Sequence, residues 1–240
     1  MRKKTRRKKR QRSAVTKYNA QLSQQERAYI EKIVKQVGDD NIQLVEYTIT
    51  DEPIENPWFN QLPKKVQERI DALYDLTLSD PKAVIAEVSA FIRKYPKVPL
   101  FYNYLSVAHA QLGDFERRDV AIKACYKRFP NYLFGRVNYA QLCLEDGDAD
   151  KIPEIFDEKL NLGQLYPQRT TFHVSEYAGF AGIMGLYYLH LGEREAAKMH
   201  YKTLKQIAPE HHATRKLWQA LRIPLRVRVA RWIYQKFTGR

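Results

Sequence analysis

Two landmarks return in this chain at intervals of 34 residues. A Gly-Asp turn at Gly113-Asp114 comes back at Gly147-Asp148, and a closing proline at Pro96 comes back at Pro130. A further turn glycine, Gly192, and a further closing proline, Pro209, bound the most regular copy, GLYYLHLGEREAAKMHYKTLKQIAP, residues 185–209. A fixed period of this length, with glycine between two amphipathic stretches and proline after the second, specifies stacked helix pairs. Glycine accepts the backbone turn after the first helix, and proline, lacking an amide donor, stops the second. Such a unit cannot bury its apolar faces alone, so several must stack, and the array grows without the size limit of a single core.

The net charge of +14 is unevenly placed over the 240 residues. Residues 1–17 hold ten Lys/Arg and no acid, and residues 211–240 hold eight and no acid. Residues 18–210 hold 23 bases against 27 acids, a balance of −4. The basic character therefore belongs to the two ends. Nine of the first twelve residues are basic, among them Arg2, Lys3, Lys4, Arg6, Arg7, Lys8, Lys9 and Arg10. So dense a tail attracts nucleic acid or anionic lipid through counterion release, with little sequence preference, or serves as a solvated solubility tail. It also resembles a nuclear localisation signal. No aromatic residue precedes Tyr18, so a base has nothing to stack on. No apolar stretch follows the tail, which argues against a secretory signal. No run of about 18 apolar residues occurs that would span a bilayer. Cys125 and Cys143 suggest neither a disulfide framework nor a zinc site and read as small core residues in a reducing compartment.

In chain order, residues 1–17 form a disordered basic tail, 18–62 an N-terminal helix and irregular segment, 63–222 the helical repeats, and 223–240 a basic amphipathic segment. Ser23 and Glu26 make a capping box for a helix to about Val37, and IQLVEYTIT reads as a short extended piece. Residues 51–63 read as a loop whose Trp58 and Phe59 pack on the first helix pair. That pair places Val66, Ile70, Leu73 and Tyr74 on one face of a helix over 63–76, then a second helix capped by Asp80 with Val84, Val88 and Phe91 inward. Pro99 opens the second pair, with Phe101, Leu105, Ala108 and Leu112 facing Ala121, Ile122 and Cys125 across Gly113. The third pair begins near Leu133, turns at Gly147 and places Ile152, Ile155 and Phe156 in its second helix. From Gly147 to Gly192 is 45 residues, 11 more than one period. The excess falls around LNLGQLYPQRTTFHVSEY, residues 160–177, and reads as a projecting loop of the kind that carries binding.

The fourth pair carries a family resemblance. Gly185, Tyr188, Ala197 and Pro209 fall at the consensus spacing of the tetratricopeptide repeat, with Tyr201 for a customary Phe, Met184 for a customary Leu, and Ala181 where the consensus Trp would stand. The chain thus resembles that family over residues 63–222, which implies an all-α fold: a right-handed α-solenoid of about four helix pairs with a capping helix and flanking basic tails. Gly185 and Ala197 are expected where the paired helices cross, with Tyr188, Tyr201 and Leu204 around them. After Pro209, Leu217, Trp218 and Leu221 of a closing helix cover the last pair. Beyond Pro224, Leu225, Val229, Trp232, Ile233 and Phe237 form an apolar stripe flanked by Arg226, Arg228, Arg231 and Lys236, either a second cap or a helix for an anionic membrane surface or for docking a partner.

The resemblance implies recognition of a protein or peptide in a groove lined by first helices, at Asn103, Val107, Gln111, Asn138, Gln141, Glu145, Leu186 and His190. The asparagine amides are suited to holding an extended backbone. The matching faces offer Asn138 but no Lys or Arg, with Gly179 and Ile183 in the next pair, so a clamp for a terminal carboxylate is not expected. No phosphate-cradling glycine loop, nucleophile elbow or HExxH occurs, and His211-His212 lacks nearby metal ligands. The expectation is a non-enzymatic cytoplasmic adaptor without cofactor or metal, its basic ends localising it to an anionic membrane surface or the nucleus. The alternative is a nucleic-acid-associated protein that binds RNA or DNA through its basic tails.

Overall fold

A computed structural model of the chain describes residues 47–54 and 56–223, and helix predominates among them. The expected helix over 23–37, the N-terminal tail with Arg2 to Arg10, and the C-terminal segment with Arg226, Arg228 and Arg231 lie outside the described residues. Contacts divide the chain into two units: residues 54–145, and residues 146–240 together with those up to 53.

The first unit is a succession of helices whose limits are written in its caps. A short helix, α1 (Pro57–Asn60), starts where Asn56 accepts the amides of Trp58 and Phe59. Then come α2 (Lys64–Ser79) and α3 (Pro81–Lys94), the latter capped by Asp80, whose carboxylate accepts the Ala83 amide at 3.1 Å. Next are α4 (Pro99–Gln111), α5 (Phe115–Arg128) and α6 (Leu133–Asp146). Between α4 and α5, Gly113 takes φ +71°, a left-handed conformation that costs glycine little, and Asp114 caps α5 through the Arg117 amide. Its core joins Ile70, Leu73, Val84, Val88, Phe101 and Ala108, and Trp58 and Phe59 pack against it as expected. Each of the larger side chains among them contributes about 1.5–3 kcal/mol by leaving water. The buried stripe of α2 is Val66, Ile70, Leu73 and Thr77, so Tyr74 falls off it and stands 66% exposed, contrary to the inward placement read from the sequence. Leu112, expected in the α4 stripe, is exposed as well. Cys125 and Cys143 are both buried, as read from the sequence.

In the second unit the expected third helix pair is cut short. After Gly147 (φ +83°) come a 3-10 turn (Ala149–Lys151) and one turn of α-helix, α7 (Ile152–Ile155). Ile152, Ile155 and Phe156 are buried as expected. The full second helix does not form, because Asp157 and Glu158 take positive φ and their amides close back on Glu154 and Pro153. The 11-residue excess is not a projecting loop. It folds into α8 (Leu162–Leu165), capped by Asn161, and a strand, β2 (Thr171–His173), which pairs in parallel with β1 (Thr48–Thr50). Leu162, Phe172 and Ile49 are buried, so these segments supply core to their unit.

Three long helices complete this unit: α9 (Val174–His190), α10 (Arg194–Ile207) and α11 (His212–Arg222). Gly192 (φ +86°) turns α9 into α10, as the turn glycine read from the sequence between these two helices. The first of them is not the short amphipathic helix expected. It runs 17 residues and buries ten, from Ala178 to Leu189. Gly185 makes its close approach to Leu217 of α11 and His200 of α10, and a Cβ on Gly182 would lie 2.7 Å from the Cβ of Ala213. The small residues of α9 therefore seat the closing helix as much as the paired one. Leu217 and Leu221 are buried as expected, whereas Trp218 is 45% exposed and stacks on Tyr201 at 5.1 Å.

Candidate functional site

The helix order in the first unit lays α4 against α6, and the residues expected to line a groove begin to meet there. Asn138 donates to the Asn103 side-chain oxygen at 2.6 Å. Beside that pair lies a groove of about 160 Å³ lined by Ser106, Val107 and Ala110 of α4, Arg118 and Ile122 of α5, and Asn138, Gln141, Leu142 and Glu145 of α6. The structure thus brings together five of the eight expected residues: Asn103, Val107, Asn138, Gln141 and Glu145. Gln111 is exposed at the end of α4. The remaining two belong to the second unit. There Leu186 is half-buried against the α9 core, and His190 is exposed at the end of its helix.

The polar groups of this groove satisfy one another. The Arg118 guanidinium sits 2.6 Å from Asp119 and 3.2 Å from Glu145, and Glu145 also accepts from Gln141 at 3.1 Å. The Ser106 hydroxyl donates to the Asn103 carbonyl. The asparagines are therefore not two free amides awaiting a backbone; they form one bridge between adjacent helices. The cation in the groove comes from a second helix, α5, which an inspection of first-helix faces did not reach. Already ion-paired twice, Arg118 is poorly placed to bind an outside carboxylate without releasing its partners.

Apolar surface remains. Val107 is 38% exposed, and Ala110, Ile122 and Leu142 continue the lining. One residue after Asn103, Tyr104 of α4 lies 6.4 Å from Tyr74 of α2, ring to ring. Leu78, one turn beyond Tyr74, is 69% exposed. Tyr74 and Leu78 are the pair that sequence reasoning missed. The signal was present, since they stand four residues apart, next to the Val66–Ile70–Leu73–Thr77 stripe rather than in it.

Acid–base or nucleophilic chemistry finds little here. Burial pushes the Cys125 thiol up to about 12, so it is no thiolate. His109 is buried with its Nδ1 3.6 Å from the Asp114 carboxylate, too long for a hydrogen bond. Among the described residues no cluster of three or more His, Cys, Asp or Glu is placed to hold a metal ion, and no helix is long and apolar enough to cross a membrane. Compared with protein-family models, curated proteins and solved structures, the chain finds no match in any of the three.

Proposed function

We propose that this chain is a non-enzymatic adaptor of tetratricopeptide type, a right-handed α-solenoid that captures a segment of another protein on the face shared by α2, α4 and α6. The observation that carries the reading is the solvent exposure of Tyr74, Leu78 and Val107 on that face, while the polar groups beside them are already paired. Exposed apolar side chains next to a satisfied polar border mark an interaction surface more than a reaction centre. The 34-residue spacing of Gly113 and Gly147, both left-handed turn glycines, supports the repeat architecture. The paired asparagines stiffen the groove floor, so the ligand is held by shape and apolar contact, with Gln141 and Glu145 at its edge.

The test is affinity capture by the full chain from nuclease-treated native lysate, repeated with residues 1–17 deleted and with Val107→Asp. The adaptor reading expects capture to survive nuclease and tail deletion and to fail with Val107→Asp. If association is lost with the tail or the nuclease and is indifferent to Val107, the basic ends are the binding element and the chain is nucleic-acid-associated.

A further inference from the structure

A second groove, of about 290 Å³, runs along a different face of α4, between α3 and α5. Its lining is largely apolar: Ile92, Tyr102, Leu105, Val120, Ala121 and Ala124. Val120 is 63% exposed, and the Ser89 hydroxyl at the edge is spent on the Ile85 carbonyl at 2.6 Å. Cations stand on both flanking helices: Arg117 in the lining itself, and Arg93 and Lys127 one helical turn from it, after Ser89 and Ala124. Arg93 and Lys127 are exposed and carry no ion pair among the described residues, and Arg117 bonds only to the helix-capping Asp114, at 3.2 Å. Of the neighbouring acids, Glu87 is engaged by Arg69 of α2, Asp119 by Arg118 and Asp114 by Arg117, and Glu116 stands exposed in the first turn of α5.

We propose that this groove docks an acidic amphipathic helix of a partner protein, its apolar stripe on Leu105, Val120 and Ala124 and its carboxylates against Arg93, Arg117 and Lys127. A trough between two helices with an apolar floor and a predominantly basic rim, three cations against the exposed Glu116, is the complement of such a helix. The charge excludes this chain's own basic ends as occupants, because residues 1–17 and 211–240 hold no acid. Nucleic acid would suit the rim but not the floor, whose two rings, Tyr102 and His109, are both buried and offer no face for a base. This surface is separate from the α2–α4–α6 face and does not depend on it.

Fluorescence anisotropy with the full chain tests the proposal. The probe is a labelled helical peptide of about 18 residues with leucine at heptad a and d positions and glutamate beside them, set against the same peptide with lysine for glutamate and against a single-stranded RNA oligonucleotide. The expected result is micromolar binding of the acidic peptide, weakened about tenfold by Val120→Glu and by the Arg117→Glu/Lys127→Glu pair. Val107→Asp should leave it unchanged. Both sets of substitutions lie on exposed positions, and equal urea midpoints verify that the fold persists. The proposal is overturned if the acidic peptide does not bind at about 1 mM, a level at which non-covalent contact is barely specific. It is equally overturned if Val120→Glu and the charge-reversal pair both leave binding intact, or if the lysine peptide or the RNA binds as tightly.

Discussion

The α9–α11 bundle and the α4–α6 region each turn between two helices on a left-handed glycine, Gly192 and Gly113, and spend their surfaces in opposite ways. In α9 the run Ala178, Gly179, Ala181, Gly182 and Gly185 is buried, so that α10 and α11 approach almost to backbone contact. On α4 the residues beside the core are Asn103, Tyr104, Val107 and Gln111, which leave room instead of closing it. The first region converts its sequence into packing and the second keeps apolar surface in solvent. Substitutions should accordingly cost stability in one and association in the other.

The largest loss is expected at Leu217, which is fully buried and meets both Gly185 and the α9 core. Leu217→Ala should lower the urea-measured unfolding free energy by about 3 kcal/mol, the transfer of its atoms plus the cavity left behind. Gly182→Ala comes next, at about 2 kcal/mol, since the new methyl meets the Cβ of Ala213, which no rotamer can move. That cost exceeds the gain in helix propensity from replacing glycine, about 1 kcal/mol. Restoring space with Ala213→Gly in the double variant should return part of the loss, which separates a steric clash from a propensity effect.

Acid should act on the same bundle by a different route. Burial holds His200, stacked on Tyr188, down to about 4, and burial with the neighbouring His212 and Arg215 charges does the same to His211. The Nδ1 of His211 also accepts the Ala213 amide at the start of α11, a bond available only to the unprotonated nitrogen. Both groups are neutral when folded, and an unfolded histidine titrates near 6.5. Their contribution is therefore complete above about pH 6.5 and drains away as the pH falls towards about 4. His200→Phe, which keeps a ring beside Tyr188, should flatten the fall in urea midpoint between pH 7 and pH 5. An unchanged slope would locate the acid sensitivity elsewhere.

The smallest stability effects belong to the groove. Tyr74→Ala and Val107→Asp remove exposed groups and should move unfolding by less than about 0.5 kcal/mol. Asn138→Ala breaks the bridge to Asn103 and should cost about 1 kcal/mol. A Val107→Asp protein destabilised as much as Leu217→Ala would erase the contrast between the two regions.

Much of the helical layout was legible from punctuation. Asp80-Pro81, Pro99, Gly113-Asp114 and Leu133 mark helix starts or turns to within a residue, because caps, proline and left-handed glycine act locally. What failed to show in the sequence depends on distant partners. The cap of α9 is His173, whose Nδ1 accepts the Ser175 amide while Glu176 accepts that of His173, a capping box without Ser or Thr. Arg169, bonded twice to Glu176 and 4.3 Å from the Phe172 ring, ties the inserted segment down, and β2 finds its partner strand more than a hundred residues away. Neither pairing leaves a local period to read. In the groove, Asn103, Val107, Asn138, Gln141 and Glu145 were named by the resemblance, which assigns first-helix faces to a groove. Their mutual bonding and the arrival of Arg118 required the third helix.

The central claim is that the α2–α4–α6 face takes a protein ligand. A photocrosslinking amino acid placed at Leu78, Val107 or, as a control, Lys202 in the full chain tests it directly in nuclease-treated native lysate. The account predicts discrete protein adducts from positions 78 and 107 and none from 202. No adduct from either face position, or the same adducts from all three, would contradict it.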